Sequence, residues 1–200
     1  MTDNDDSSRI LVVQGHPDPA GGHLCHALAD AYVQGARQRG HAVRRVEVAQ
    51  LDFPLLRSQH DWQHGSVPEA LAPVQQDLVW ARHLVMLFPL WMGDMPALLK
   101  GFIEQVARPG LGGMPPSEGG MPPKALKGRS ARLVVTMGMP ALVYRYYFRA
   151  HSLKSLERNI LGMVGIAPVH ETLVGLVDRL DDAQTGRWMA RLRKLGRDAS

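Results

Sequence analysis

The sequence predicts an α/β fold in which a parallel sheet of five strands carries helices on both faces. The first observation behind this prediction is that short apolar runs alternate five times with segments of helical periodicity. The second is the run at residues 84–88, which is apolar throughout and too short for a helix, as expected of a strand buried on both faces. With 200 residues, 45% of them apolar, the chain is predicted to form a single domain over residues 9–200 behind a disordered tail, residues 1–8.

The first two strands are predicted at residues 10–14 and 43–48. Prolines and glycines follow the first strand, and a helical pattern then runs from Leu24 to about Gly40. In the second strand, valines alternate with charged side chains. This half-polar pattern is typical of the edge of a sheet.

The central strand is predicted to end at Pro89, because proline cannot donate a hydrogen bond to a neighbouring strand. Pro96 at the first helical position and Asp94 as the cap predict a helix that runs to Val106. The loop between strand and helix therefore lies at the carboxyl end of a central strand. Ligands bind at this end of open α/β sheets.

The remaining segments complete the alternation. Residues 49–68 have little periodicity and are predicted to be an irregular surface connection. Residues 108–128 hold six glycines and five prolines and are predicted to be a long flexible excursion. The other predicted elements are helices over residues 74–81 and 141–161, strands at residues 131–136 and 169–176, and a last helix that is capped by Asp181 or Asp182.

Composition and charge exclude several classes of protein. The 23 basic and 19 acidic residues are spread through the chain, without the clustered patch that nucleic-acid binding requires. The single cysteine, Cys25, excludes an intramolecular disulfide and is expected to pack within the first helix. The N-terminus has no signal-peptide pattern, and no apolar run approaches the ~18 residues of a membrane span. We therefore expect a cytoplasmic protein with no nucleic-acid partner and no membrane insertion.

One segment resembles a metal-binding motif but lacks essential parts of it. His60, Asp61 and His64 read H-D-x-x-H, which is close to a zinc-protease pattern. The general-base glutamate and the third ligand of that pattern are missing, and the segment lacks helical periodicity. No metal ligand is predicted.

Three loops, at residues 16–23, 89–94 and 136–144, converge if the first, third and fourth strands are central. In the first loop, Gly21 and Gly22 precede a helix, so backbone N–H groups could close on an anion such as phosphate. The alternative for this loop is an ordinary turn.

The second and third loops carry aromatic side chains. Trp91 and Met92 could stack on a flat heteroaromatic ring, although such residues at strand ends often belong simply to the core. Tyr144 and His151 could stabilise a transient negative charge and donate a proton. The alternative is a helix whose rings pack inward.

Three segments carry a family resemblance: HPDPAGGHLCHALADAY, FPLWMGDMPALLKGFIEQV and VVTMGMPALVY. In this order they resemble the flavodoxin-like NAD(P)H:quinone oxidoreductases, including the small bacterial reductases of that family. The second segment is the most specific, because it is long and contiguous. The resemblance covers residues 9 to about 175. It implies a three-layer flavodoxin-like fold with strand order 2-1-3-4-5, a bound flavin (FMN or FAD) and usually a homodimer.

The resemblance also implies roles for residues at matching positions. The flavin phosphate would face His16, Gly21, Gly22 and His23. The isoalloxazine ring would be lined by Pro89, Leu90, Trp91 and Met92. Its pyrimidine edge would lie beside Thr136, Met137, Gly138 and Met139. The family's Tyr/His pair, which offsets negative charge on the flavin, is matched by Tyr144 and, with a one-residue shift, by His151.

The chain departs from the family pattern in two loops. The family usually has hydroxyl and amide side chains where this chain has Gly21, Gly22 and His23, so phosphate binding must rely on backbone amides and histidines. The family's T-T-G-G is here T-M-G-M, which changes the contacts open to the pyrimidine edge.

These observations lead to an expected function and two alternatives. We expect a flavin-dependent NAD(P)H:acceptor oxidoreductase that reduces quinones or similar flat acceptors by two electrons in a ping-pong hydride mechanism. The first alternative is azo, nitro or metal-oxyanion reduction on the same scaffold. The second is a flavodoxin-like electron carrier or a soluble regulatory subunit of a membrane transporter. Arg145 and Arg149 could bind the 2′-phosphate of NADPH, and the sequence leaves NADH and NADPH both open.

Overall fold

A computed structural model describes residues 7–111 and 124–200, and the sheet within them has five parallel strands in the order β2-β1-β3-β4-β5. The strands are β1 (Arg9–Gln14), β2 (Ala42–Glu47), β3 (His83–Pro89), β4 (Ser130–Thr136) and β5 (Val169–Val174). The predicted fold class and strand order are confirmed. The wholly buried strand β3 lies in the middle of the sheet and the half-polar strand β2 at its edge, as their sequences predicted.

Helices cover both faces of the sheet. They are α1 (Leu24–Gln38), α2 (Gln59–His64), α3 (Ala72–Trp80), α4 (Ala97–Val106), α5 (His151–Ser155), α6 (Gly162–Val164) and α7 (Asp182–Asp198). Neighbouring residues of β3 point to opposite faces: Val85 packs with α1 and α7, whereas Met86 packs with α3 and α4. In the described ranges, no helix combines the length and the apolar character needed to cross a lipid bilayer.

Helices α1 and α7 approach each other closely through glycines. A Cβ atom on Gly35 would lie 1.9 Å from the carbonyl oxygen of Arg193, and one on Gly196 would lie 2.1 Å from the carbonyl oxygen of Tyr32. No side chain fits at these distances. The contact between the two helices therefore depends on glycine at both positions.

The helix predicted over residues 141–161 is broken, so this prediction was wrong in part. A helical turn with π-type hydrogen bonds spans Val143–Tyr147, and Arg149 and Ala150 then have φ angles of 54° and 48°. Left-handed backbone cannot continue a right-handed helix, and neither residue belongs to the types that usually signal it. Helix α5 begins immediately afterwards, and a second π-type segment, Leu156–Leu161, leads into α6.

The connection predicted to be irregular contains the short helix α2, so this prediction was also wrong in part. Ser58 caps the helix, because its Oγ accepts a hydrogen bond from the backbone N–H of Asp61 at 3.0 Å. His60 and His64 lie one turn apart on it, with ring centroids separated by 5.2 Å. Across residues 7–111 and 124–200, no three His, Cys, Asp or Glu side chains are arranged to hold a metal ion.

The ends of two helices refine the sequence predictions. Pro96 is the N-cap of α4, so the helix starts one residue later than predicted, and Asp94 does not cap it. The Oδ1 atom of Asp94 instead accepts a hydrogen bond from the N–H of Met95 at 2.7 Å. At α7 the cap is Asp181, which exchanges hydrogen bonds with Gln184 in a capping box.

Two segments predicted to be flexible, residues 1–8 and 108–128, fall largely outside the described residues. Within the first segment, the backbone N–H of Ser8 donates to Nδ1 of His41 at 3.0 Å, and its carbonyl oxygen accepts from the N–H of Ala42 at the same distance. These bonds attach Ser8 to the start of β2.

Candidate functional site

Hydrogen bonds between strands continue into the loops at the carboxyl edge of the sheet. The N–H of Gly15 donates to the carbonyl of Leu87 at 2.7 Å, and the N–H of Leu90 donates to the carbonyl of Thr136 at 2.8 Å. The loops that follow β1, β3 and β4 therefore start side by side.

An open cavity of about 550 Å³ lies between these loops. Its wall is formed by His16, Asp18, Gly22, His23, Leu24, Cys25, Pro89, Trp91, Thr136, Val177 and Asp178. This volume lies within the range of small-molecule and cofactor sites, ~300–1,000 Å³. The structure thus brings the first two predicted loops and the start of the third to one cavity, and it adds the loop after β5.

Gln14, the last residue of β1, fixes the shape of the first loop. Its fully buried side chain accepts hydrogen bonds at Oε1 from the N–H of His16 at 2.9 Å and from the thiol of Cys25 at 3.4 Å. Its Nε2 donates to the carbonyl of Cys25 at 3.0 Å. One amide thereby connects strand, loop and first helical turn.

Three imidazole rings, those of His16, His23 and His26, form a cluster beside this loop. The rings of His16 and His23 are stacked with centroids 4.0 Å apart, and the centroid of His26 lies 5.0 Å from that of His16. Burial, followed by the two neighbouring histidines, lowers the pKa of His16 to about 4. Burial also lowers the pKa of His26. His16 is therefore neutral at pH 7.

Asp18 connects the two ends of the first loop. Its Oδ2 accepts a hydrogen bond from Nε2 of His23 at 2.7 Å, and its Oδ1 accepts from the N–H of Ala20 at 2.9 Å. These two bonds lower the pKa of the Asp18 carboxyl. The N–H of Asp18 donates to Nδ1 of His16 at 3.1 Å, so the neutral His16 ring carries its proton on Nε2.

The backbone at Gly21 and Gly22 is shaped for close approach by a ligand. Their φ angles are 73° and 79°, and a Cβ atom on either would meet nothing within 4 Å. The N-cap residue of α1, His23, makes no side-chain cap, and the N–H of His26 donates to the carbonyl oxygen of His23 at 2.9 Å. Among the described residues, the N–H groups of Leu24 and Cys25 are therefore left to bind an anion. The donors present at this loop fit a phosphate group.

The second loop is a tight turn that holds an aromatic ring over the cavity. Trp91 and Asp94 exchange backbone hydrogen bonds of 2.8 and 3.0 Å. Between them, Met92 and Gly93 have φ angles of 50° and 85°, as in a type I′ turn. The half-exposed Trp91 ring has its centroid 6.0 Å from that of His16. A planar cofactor ring could lie against this indole.

The predicted cofactor-binding residues divide into two groups. Those on the cavity wall are His16, Gly22, His23, Pro89, Trp91 and Thr136. The other six are not among the residues that line the cavity. Gly21, Leu90 and Met139 are half-buried, and Met92 and Gly138 are exposed. Met137 is buried in the core.

The residues predicted to be catalytic, Tyr144 and His151, do not line this cavity. The Tyr144 ring is buried, and its hydroxyl shares a hydrogen bond of 2.6 Å with Oγ of Ser152. Burial raises the pKa of this hydroxyl. His151 is exposed at the start of α5. Their catalytic roles stay predictions.

Sequence reasoning missed Asp18, Cys25 and Asp178 on the cavity wall. Asp18 lies between two prolines in the first family segment, and Asp178 follows the fifth predicted strand, so their positions at strand ends were available signals. Cys25 is buried, as predicted, and burial raises its pKa to about 12. Its sulfur is therefore a thiol at neutral pH and a poor nucleophile.

Comparisons with known proteins identify a family and several relatives that this chain resembles. The sequence model of a family described as having the flavodoxin-like fold matches residues 8–195. A ribosyldihydronicotinamide dehydrogenase-like protein from Penicillium crustosum is 28% identical over 160 residues, which are 65% of this chain and 57% of that protein. An FMN-dependent NADH:quinone oxidoreductase from Ruegeria pomeroyi is 29% identical over 150 residues, covering 66% of this chain and 71% of the relative.

Among solved structures, an NAD(P)H:quinone oxidoreductase from Methanothermobacter marburgensis superimposes with a TM-score of 0.76. The match covers 96% of each chain at 22% sequence identity. At this level of identity the likeness concerns the fold.

Proposed function

We propose that this chain, which belongs to the flavodoxin-like fold family, is a flavin-dependent NAD(P)H oxidoreductase. The observation that carries the proposal is the cavity at the carboxyl edge of the sheet, which is lined both by Gly22, just before helix α1, and by the half-exposed indole of Trp91. The names of the two curated relatives support it, since one is an FMN-dependent NADH oxidoreductase and the other is dehydrogenase-like.

The residues of the cavity would bind the two ends of a flavin differently. The first loop would hold the phosphate through backbone N–H groups near Gly22 and through Nε2–H of the neutral His16. Pro89 and Trp91 would confine the ring system, and Thr136 would stand at its edge. A bound flavin would supply two-electron chemistry, taking a hydride from NAD(P)H and passing it to a second substrate in a ping-pong sequence.

We propose FMN as the flavin and quinones, or similar flat acceptors, as the second substrate. The FMN-dependent quinone oxidoreductase among the relatives supports both choices. Arg145, considered for the 2′-phosphate of NADPH, forms an ion pair of 3.0 Å with Glu171 and would have to change partner for that role. The cytoplasmic location stays a prediction.

We also propose a homodimer, because large apolar side chains are exposed on the loops that follow β3 and β4. These side chains are Trp91, Met92, Leu142, Val143, Tyr146, Tyr147 and Phe148. Exposed apolar surface of this kind is typical of protein interfaces. Sedimentation velocity should give twice the mass of one chain, and Tyr147→Asp should shift the protein toward the monomer. A monomer at all accessible concentrations would contradict the proposal.

The proposed function is tested by flavin identification and rapid kinetics. Heating the purified protein should release FMN, and anaerobic mixing with NADH or NADPH should bleach the flavin absorbance before any acceptor is added. Comparison of kcat/KM for quinones and azo compounds then identifies the preferred acceptor. A protein that stays inert after FMN or FAD is added would overturn the proposal. Slow turnover together with tight, stoichiometric binding of a partner would support the carrier or regulatory alternative instead.

A further inference from the structure

The wall of the cavity carries little permanent positive charge for a site that is proposed to hold a phosphate. Asp18 and Asp178 contribute carboxylates, and none of the lining residues in the described part of the chain is a lysine or an arginine. A phosphate monoester carries a charge of about −1.5 to −2 at pH 7. Besides the backbone N–H groups at the start of α1, the groups of this site that can supply positive charge are the rings of the imidazole cluster.

We propose that the cavity binds the flavin phosphate together with a proton, which is taken up by the imidazole cluster. The inference rests on the proposed function and extends it to the protonation state of the site. Proton uptake of this kind makes the affinity for the flavin cofactor depend on pH in the neutral range.

His23 is the member of the cluster that is placed to take up the proton. Its Nε2 already faces Oδ2 of Asp18, and the ring lies on the cavity wall. A neutral ring that donates to Asp18 has only a lone pair on its other nitrogen, which would repel a phosphate oxygen. The protonated ring donates from both nitrogens, to Asp18 and to the phosphate.

His16 contributes to the same site without changing its charge. Its Nδ1 accepts the N–H of Asp18, and protonation of that nitrogen would break this hydrogen bond. Burial, which lowers the pKa of His16 to about 4, also opposes protonation of this ring. His16 is thus a neutral donor through Nε2–H.

Other charged groups near the cluster do not replace the proton. Glu47, Arg45 and Asp30 face His26 from β2 and α1. Arg45 forms ion pairs with both of these carboxylates, so its charge is already balanced. Asp178, on the loop after β5, contributes a carboxylate to the cavity wall.

The direction of the pH dependence follows from proton uptake. When a complex binds one proton more than its separate components, its dissociation constant rises by up to about tenfold for each pH unit. Above about pH 6 the free phosphate is mainly a dianion, so the effect should appear between about pH 6.5 and pH 8.5. Riboflavin has no phosphate, and its affinity should change little over this range.

The test compares FMN with riboflavin. Flavin-free protein is titrated with each at several pH values, in buffers without phosphate and at constant ionic strength, and binding is followed by flavin fluorescence. Calorimetry at one pH in two buffers of different ionisation enthalpy then gives the number of protons taken up. We expect uptake approaching one proton with FMN and none with riboflavin.

Three variants identify the groups involved. His23→Gln should remove most of the proton uptake and flatten the pH dependence for FMN, whereas His60→Gln, on the exposed face of α2, should behave like the parent. Asp178→Asn should raise the affinity for FMN relative to riboflavin near the top of the pH range, because a carboxylate is removed from the wall. Full proton uptake in His23→Gln would place the proton on another group and overturn the assignment to His23.

The possible failures are distinguishable. If FMN and riboflavin bind with an affinity ratio that does not depend on pH, the inference is wrong while the proposed function stands. If neither flavin binds at any pH, both are wrong.

Discussion

At the scale of single residues, the site is shaped by the buried amide of Gln14 at the end of β1 and by the partly exposed carboxylate of Asp18 in the loop that follows. Gln14 fixes the positions of His16 and Cys25, and Asp18 does the same for His23. The Gln14 amide and the Asp18 carboxylate have hydrogen-bond partners within the protein. The loop is therefore organised before a ligand binds, which reduces the entropic cost of binding.

Replacement of Gly22 by aspartate should weaken flavin retention. The variant sets a carboxylate against the phosphate, and we expect the dissociation constant for FMN to rise by about tenfold or more. Gly40→Asp is a matched control, because Gly40 also has a positive φ and open space around it but does not line the cavity. Both variants should lose similar stability. Equal flavin content in the two purified proteins would remove the first loop from the site.

Replacement of Tyr144 by phenylalanine tests the role that the family resemblance implies. If the hydroxyl stabilises charge during the reaction, kcat should fall on the order of ten- to a hundredfold. Ser152→Ala removes the same 2.6 Å hydrogen bond but keeps the hydroxyl of Tyr144. Both variants should lose about 1 kcal/mol of unfolding free energy, and only Tyr144→Phe should have a reduced kcat. Unchanged turnover in Tyr144→Phe would place its hydroxyl outside the chemistry.

At the scale of elements, backbone conformation rather than propensity decides several boundaries. The chain between Val143 and Val164 has helical composition, yet left-handed residues at Arg149 and Ala150 divide it. The second loop similarly depends on the positive φ of Met92, a residue that rarely adopts it. Conformations of this kind persist where the surrounding structure imposes them, often at functional sites.

The close contact of α1 with α7 gives a prediction about stability. Gly35→Ala forces a Cβ atom against the carbonyl oxygen of Arg193 and should lower the unfolding free energy by roughly 1–3 kcal/mol. Gly186→Ala, within α7, meets nothing within 4 Å and should raise it by up to ~1 kcal/mol, because alanine favours helix. Urea unfolding followed by circular dichroism measures both. A Gly35→Ala protein as stable as the parent would show that the helices can separate at little cost.

At the scale of the whole molecule, buried histidines couple folding to pH. Burial lowers the pKa of His83, at the start of β3, to about 4, and the same value applies to His16. An unfolded chain titrates its histidines near pH 6.5, so between these values the unfolded state binds more protons. The contribution of these two neutral histidines to the unfolding free energy is therefore fully present above about pH 6.5 and is lost as the pH falls toward 4.

We expect protonation of His83 to lower the unfolding free energy by about 2 kcal/mol between pH 7 and pH 5, and protonation of His16, which borders the open cavity, to lower it by less. His83→Gln, which stays neutral, should remove its share of this loss, and the exposed His60→Gln should keep the full loss. Urea titrations at both pH values provide the measurement. Parallel pH profiles for His83→Gln and the parent would show that His83 is not buried in its neutral form.

The sequence by itself determined the layered fold, the order of elements and the edge of the sheet at which the cavity lies. Apolar runs such as residues 84–88 require burial on both faces, and their alternation with helical segments indicates a parallel sheet between helices, which provides that burial. The family segments added the strand order and most of the residues now found on the cavity wall.

Only the tertiary structure decided which polar groups meet at that edge. Asp18, His23 and Asp178 come from separate loops or from opposite ends of one loop, and no local pattern states that they share a cavity. The same holds for the break at Ala150 and for the partner that Ser152 provides to Tyr144. Periodicity records which face of an element is buried, whereas contacts between loops depend on the three-dimensional path of the chain between them.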